Sequence, residues 1–166
     1  MDAQSPAGET MEAVSQPTLS ELFKRALARW PSGVTIVAAE ADGERRGMTA
    51  SSFSSVSLEP PLVLVCVDEN ANLLEVLERS ERFAINLLAE GQQSVSEHFA
   101  GRSSPGLEPL SPDLSVEGAL ATLYCAKWQL YPGGDHRIVV GRVEAVRLGG
   151  AERPLVYWNR GYRTLQ

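Results

Sequence analysis

Two strand-like runs, ALATLYCAKWQLY (119–131) and RIVVGRVEAVRL (137–148), face each other across Pro132–Gly133–Gly134–Asp135–His136. No other feature of the chain limits its fold as much. The paired glycines suit a tight turn, so the two runs read as one long hairpin. A hairpin of that length commits the chain to an antiparallel sheet, whose apolar face must be covered by a second layer or by closure of the sheet on itself. Upstream, VTIVAA (34–39), a turn at Ala41–Asp42–Gly43 and RRGMTASSFSSVSL (45–58) predict two further antiparallel strands. After Pro60–Pro61, LVLVCV (62–67) is apolar enough to predict a strand buried on both faces. FAINLL (83–88) adds a strand, and PLVYWN (154–159) a short last one.

Three short helices interrupt this pattern. Thr18 and Glu21 form a capping box ahead of Leu19, Leu22, Phe23, Ala26, Leu27 and Trp30, which recur at helical spacing until Pro31. That stripe predicts a helix packed onto another surface. Asn72 with Glu75 predicts a capped helix over LLEVLERS, and Ser94 with Glu97 another around SVSEHFA. Residues 101–115, rich in Pro, Gly and Ser, read as loop. The sum is a mostly β, α+β domain of barrel-like architecture over 18–166, preceded by a disordered leader over 1–17. Neither βαβ alternation nor G-x-G-x-x-G is present, which excludes a Rossmann dinucleotide domain.

Composition narrows the function. Fifteen Lys and Arg against 21 Asp and Glu leave a net charge of −6, the wrong sign for nucleic-acid or anionic-membrane binding. No apolar run approaches the ~20 residues that span a bilayer. The N-terminal text lacks the basic and apolar regions of a signal peptide, so a cytoplasmic location is expected. Cys66 and Cys125 lie in strand-like text and read as small core residues. No Cys, His, Asp and Glu spacing suggests a metal site.

Candidate chemistry gathers in a few segments. Met48–Thr49–Ala50–Ser51–Ser52–Phe53–Ser54–Ser55–Val56–Ser57 carries six hydroxyls in ten residues. Small hydroxyl residues admit a ligand close to the backbone and donate to phosphate or carbonyl oxygens. A Ser-rich edge strand facing water explains the same text equally well. Gly33 permits a tight turn in Pro31–Ser32–Gly33–Val34–Thr35. The run from Val67 through Asp68 and Asn70 to Asn72 leads from a strand into a helix N-terminus, a natural seat for anionic oxygens, although Asn72 itself reads first as a cap. Arg102, after Ala100 and Gly101, is a phosphate donor or a plain surface cation. His136 at the hairpin tip either meets a nicotinamide or is solvated. Tyr157, Trp158, Tyr162 and Arg163 either close over a flat ring or serve packing.

In this order the segments resemble one family. WPSGVT (30–35), GMTASSFSSVSLEPPLVLVCVDENAN (47–72), FAINLL, HFAGR (98–102) and GGDHRIVVGRVE (133–144) are similar to the flavin reductase-like proteins, which have the FMN-binding split-barrel fold. The likeness runs from about Phe23 to the tail near Tyr162. It implies a dimeric split β-barrel that passes hydride from NADH or NADPH to FAD or FMN and supplies the reduced flavin to a separate monooxygenase. It also implies roles for residues. Thr49, Ala50, Ser51 and Ser52, next to Met48, match the flavin-contacting strand, and Ser57 a phosphate contact. Gly33, Val34 and Thr35 match contacts to the ring and ribityl chain, as do Val67, Asp68, Asn70 and Asn72. Ala100, Gly101 and Arg102 match a phosphate-side loop. His136 matches the nicotinamide-side histidine, and Tyr162 and Arg163 tail residues near that pocket. A pyridoxamine-phosphate-oxidase-like enzyme, a non-catalytic flavin- or haem-binding sensor and a cofactor-free interaction domain stand as alternatives.

Overall fold

The computed structural model describes residues 16–102 and 109–165. The leader expected over 1–17 thus falls almost wholly outside the described residues. The first helix, α1 (Leu19–Leu27), starts on the predicted capping box: Glu21 N–H donates to the Thr18 hydroxyl, and Thr18 N–H donates to the Glu21 carboxylate at 2.7 Å. Its apolar stripe does not pack as expected. No α1 residue is buried, and Phe23 and Trp30 are 60% and 75% exposed, because no element among the described residues covers that face.

Strands β1 (Ser32–Gly33), β2 (Thr35–Ala41) and β3 (Glu44–Ala50) follow. The single strand expected over 45–58 is two, since β4 (Ser54–Leu58) is separated from β3 by Ser51–Phe53. The physical reason is a change of partner: β3 pairs with β2, whereas β4 pairs with β5 (Pro61–Asp68). Ser52 fastens the crossing, its hydroxyl accepting from Cys66 N–H at 2.9 Å and donating to Cys66 C=O at 3.2 Å. Nor is β5 buried on both faces. Val63, Val65 and Val67 point into the core, while Leu62, Leu64 and Cys66 are half-buried, the period-two pattern of a sheet covered fully on one side.

Helix α2 (Asn72–Arg79) and β6 (Arg82–Leu87) come next, followed by α3 (Gln93–Phe99). Both predicted caps need correction. Ala71 holds the N-cap position of α2, and the Asp68 carboxylate instead accepts from Asn70 N–H at 2.7 Å to form the turn before it. Ser94 and Glu97 lie inside α3, whose entry is held by the Gln92 side chain, accepting from Ala89 N–H and donating to Glu117 C=O, each at 2.8 Å. The long hairpin is present as β7 (Ala121–Pro132) and β8 (His136–Leu148). Strands β9 (Val156–Trp158) and β10 (Gly161–Arg163) close the chain; β1 and β10 are too short to show a readable period.

Among the described residues all strand pairs are antiparallel. Seven strands run β3-β2-β6-β7-β8-β5-β4, and three more run β1-β9-β10. The large sheet curls, bringing β5 against β3, and α2 lies across β2, β3 and β5 with Leu73, Leu74, Val76 and Leu77 buried. These pack with Val37, Val65, Val67, Phe83, Ile85 and Val139 in the main core. Cys125 belongs to the same core, and burial pushes its thiol up to about 12, so it is an inert filler there. A smaller cluster of Val34, Ile36, Leu88, Val116 and Leu155 joins the two sheets.

The loop after α3 is fastened at two points. Buried Asn86 accepts from Val116 N–H and the Thr122 hydroxyl and donates to Leu114 C=O. Asp113 accepts from the Ser115 hydroxyl at 2.6 Å, from Tyr124 at 2.8 Å and from Arg147 at 3.0 Å. The Ser115 and Tyr124 hydrogen bonds hold its carboxyl well below the usual carboxylate range. A carboxyl depressed by folding stabilises the native state above the ordinary Asp pKa of about 3.9, and that contribution fades as pH falls below it. Asp113→Asn is therefore expected to lower the thermal midpoint at neutral pH, with the deficit against the parent protein shrinking in strong acid. Melting curves across pH test this, and a deficit independent of pH would contradict it.

Candidate active site

Side chains alternate along β3, so Arg45, Gly47 and Thr49 share one face, and α3 lies against it. Gly47 makes the approach possible: a Cβ there would stand 2.6 Å from a ring carbon of Phe99. Thr49 fixes the other end by donating to Ser96 C=O at 2.6 Å. Ser96 is wholly buried, and its hydroxyl is 2.9 Å from the Tyr162 hydroxyl, so β3, α3 and β10 are tied at one point.

This arrangement leaves a cleft on either side of the α3 C-terminus. The larger, about 680 Å³, takes Met48, Asn70, Asn72 and Gly101 from the residues expected at the site, together with Arg45, Arg46, His98 and Phe99. The smaller, about 470 Å³, takes Val34, Thr49, Ser51, Ala100, Arg102 and Tyr162, with Tyr157 and Arg160 beside them. Gly33, Val34, Thr35 and Ser51 line a third hollow of about 280 Å³, between Trp30 and Phe53. The first two volumes fall within the ~300–1,000 Å³ range of small-molecule sites. Gly101, at φ +80°, is the pivot between them, since Ala100 and Arg102 face the smaller cleft and Gly101 the larger.

The remaining expected residues line none of these hollows. Ala50 is buried, its carbonyl accepting from the Thr35 hydroxyl at 2.8 Å. Ser52 is occupied by Cys66, Val67 is in the core, and Asp68 holds the turn before α2. Ser57 sits beside a bulge in the β4–β5 pairing. Arg163 lies over the Trp158 ring at 5.9 Å and donates to Tyr162 C=O. His136 opens β8 opposite Asp68, its Nδ1 2.7 Å from an Asp135 carboxylate oxygen. Glu69 N–H donates to Asp135 C=O at 3.0 Å, so the hairpin tip rests on the turn that carries Asn70 to the larger cleft.

Chemically, the smaller cleft offers two tyrosine rings in edge contact at 5.3 Å, hydroxyl donors and the Arg102 guanidinium, which is 73% exposed and only loosely paired with Glu97 at 3.7 Å. Ser51 has no side-chain hydrogen bond among the described residues, and it borders two of the hollows. A flat ring bearing carbonyl oxygens and a phosphate-bearing chain fits such a set. Arg45, Arg46, His98 and Arg160 were not legible as site residues. His98 opens the HFAGR run without being singled out in it, the three arginines carry no local motif, and only the meeting of β3, α3 and the β9–β10 turn brings the four to the clefts.

Residues 27–166 match the model of the flavin reductase like domain. The reductase component of 4-hydroxyphenylacetate 3-monooxygenase from Thermus thermophilus is 58% identical over 147 residues, covering 89% of this chain and 97% of the relative. An NADH-dependent FAD reductase of Streptomyces globisporus is 41% identical, covering 73% of this chain and 72% of its own. Among solved structures, the Streptomyces globisporus NADH:FAD oxidoreductase in complex with NAD and FAD fragments superposes with a TM-score of 0.82 at 34% identity, over 93% of this chain and 98% of that one. The flavin reductase component of a bacterial two-component tryptophan halogenase gives 0.79 at 34% identity, over 88% and 98%. With a family model matched over residues 27–166 and a relative 58% identical over most of both chains, the protein belongs to the flavin reductase-like family.

Proposed function

We propose that the protein is an NADH:flavin oxidoreductase that supplies reduced FAD or FMN to a separate flavin-dependent monooxygenase. The observation that carries this reading is the smaller cleft, where Thr49, Ser51, Arg102 and Tyr162 converge, in a chain whose relatives are named as NADH-dependent flavin reductases and monooxygenase reductase components. The flavin, when bound, supplies the hydride acceptor. The chain's own task is then to bind and align. Ser51 and nearby backbone N–H groups would donate to the flavin's ring carbonyl oxygens. Arg102 would neutralise its phosphate, and Tyr162, fixed by Ser96, would hold one wall of the ring site. Both clefts are open to solvent, which favours release of the product to a partner enzyme. A sensor that binds flavin without turnover finds no support among the named relatives. The test is anaerobic mixing of protein, flavin and NADH. Rapid bleaching of the flavin's visible absorption is expected, and a rate no faster than without protein would end the proposal.

His136 stands at the hairpin tip, 39% exposed and oriented by Asp135. Assigning it to the nicotinamide side, as the family resemblance suggests, gives a defined outcome. His136→Ala should raise the KM for NADH about tenfold, the worth of one hydrogen bond to a polar or charged group, while flavin affinity stays within about twofold. An unchanged KM would remove His136 from the site.

The same reading includes a split-barrel architecture, a homodimer and a cytoplasmic location. The curled seven-stranded sheet supports the first. The uncovered α1 face supports the second: Leu19, Leu22, Phe23, Leu27 and Trp30 each contribute about 1.5–3 kcal/mol when removed from water, and a second copy provides the cover. Phe23→Glu with Leu27→Glu should convert a dimer to a monomer in analytical ultracentrifugation, and a parent protein that sediments as a monomer would refute it. Two free thiols support the third, and no helix among the described residues is long and apolar enough to cross a membrane.

A further inference from the structure

The turn between β9 and β10 carries a side chain that its backbone does not favour. Trp158 pairs with Gly161, so Asn159 and Arg160 form a two-residue hairpin loop, with φ 49° and 59°. A loop with two left-handed residues favours Asn followed by Gly. Asn159 fits the first place, and Arg160 takes the place where glycine is least strained. The turn is also held from outside: Asn159 N–H donates to Ala28 C=O at 2.8 Å, and Trp158 Nε1 to Arg29 C=O at 3.1 Å. A non-glycine residue kept left-handed at the rim of a cleft points to a task for its side chain. Charge shows which task. Glu97, Arg102 and Arg160 are the charged residues that line the smaller cleft, and Glu97 and Arg102 pair loosely at 3.7 Å. Arg160 has no ion pair and no side-chain hydrogen bond among the described residues, so the cleft carries one uncompensated positive charge. That charge shares its hairpin with Tyr157 and Tyr162, the two rings of the cleft, whereas Arg102 follows α3. Hydride transfer carries one proton and two electrons from the nicotinamide C4 to flavin N5. The nicotinamide is left with one positive charge and the flavin ring with one negative charge, spread over N1 and the C2 carbonyl. A cation beside that ring is therefore worth more after transfer than before it.

Resting on the reductase reading, we propose that Arg160 is the electrostatic residue of the reaction, its guanidinium favouring the reduced, anionic flavin ring over the oxidised, neutral one. The test compares affinities for the two oxidation states. Oxidised and dithionite-reduced FMN and FAD are titrated without oxygen against the full-length parent protein, Arg160→Gln, Arg160→Lys and Arg160→Gly. In Arg160→Gln, affinity for oxidised flavin stays within about twofold, and affinity for reduced flavin falls about tenfold. For a two-electron couple that ratio lowers the midpoint potential of the bound flavin by about 30 mV. Arg160→Lys keeps the charge and restores most of the difference. Arg160→Gly melts no lower than the parent, since glycine suits the turn, yet behaves as Arg160→Gln does toward flavin, which separates charge from fold. Because Arg160 is exposed, added salt narrows the gap between parent and Arg160→Gln. Equal losses for oxidised and reduced flavin in Arg160→Gln would overturn the proposal and move Arg160 to the phosphate. Affinities that no substitution changes would overturn it as well. Dithionite stands in for NADH throughout, so a protein that favours reduced flavin through Arg160 but never oxidises NADH would sink the reductase reading alone.

Discussion

Gly141→Ala is expected to lower the thermal midpoint by roughly 4–8 °C, corresponding to about 2 kcal/mol of overpacking in a domain of this size. Gly141 lies on β8 between Val139, fully buried, and Val143, packed against the core, so its own missing side chain would point inward. A Cβ there would stand 2.5 Å from the tip of the Phe83 ring and 2.9 Å from Cys125 Cβ. The strand cannot retreat, because β8 is laddered to β5 on one side and β7 on the other. Phe83 is itself buried on β6, an interior strand of the sheet, so the ring has little room to turn. Differential scanning calorimetry measures the effect, and an unchanged midpoint would mean that the core around Phe83 is looser than its packing suggests.

The second large effect separates two neighbouring serines. Ser51→Val should weaken flavin binding about tenfold while the melting temperature stays within a few degrees, because Ser51 borders two hollows and its hydroxyl makes no hydrogen bond among the described residues. Ser52→Val should do the reverse. It removes both hydrogen bonds to Cys66 and leaves that N–H without its partner at the crossing from β3 to β4, a cost of about 1–3 kcal/mol. Flavin fluorescence titration alongside thermal melting reads both. Equal losses of affinity in the two variants would return Ser52 to the cofactor cradle, and no loss in Ser51→Val would remove Ser51 from it.

These two serines illustrate what could be read from the residues alone. Hydroxyl density marked the whole run from Thr49 to Ser57 as a cradle or an edge, and could not separate a side chain that faces a cleft from one that stitches the backbone. That distinction depends on the crossing between partners β2 and β5, a long-range event without a local signal. The long β7–β8 hairpin was legible because its alternation is sustained and its glycine tip is unambiguous. The α1 capping box was legible because it is local chemistry. The fate of the α1 stripe was not, since amphipathic spacing shows that a face is apolar without showing what covers it. Helix entries at Asn72 and Ser94 were misplaced because Asp68 and Gln92, reaching from outside each helix, hold the backbone instead. Arg45, Arg46 and His98 became site candidates only when α3 was laid on β3 across Gly47.

The most direct test of the central claim is the rate of NADH oxidation under air, with purified protein and rising concentrations of FAD or FMN. The account predicts a rate that increases and saturates with added flavin and is negligible without it. A rate that stays at the protein-free background with both flavins would contradict it.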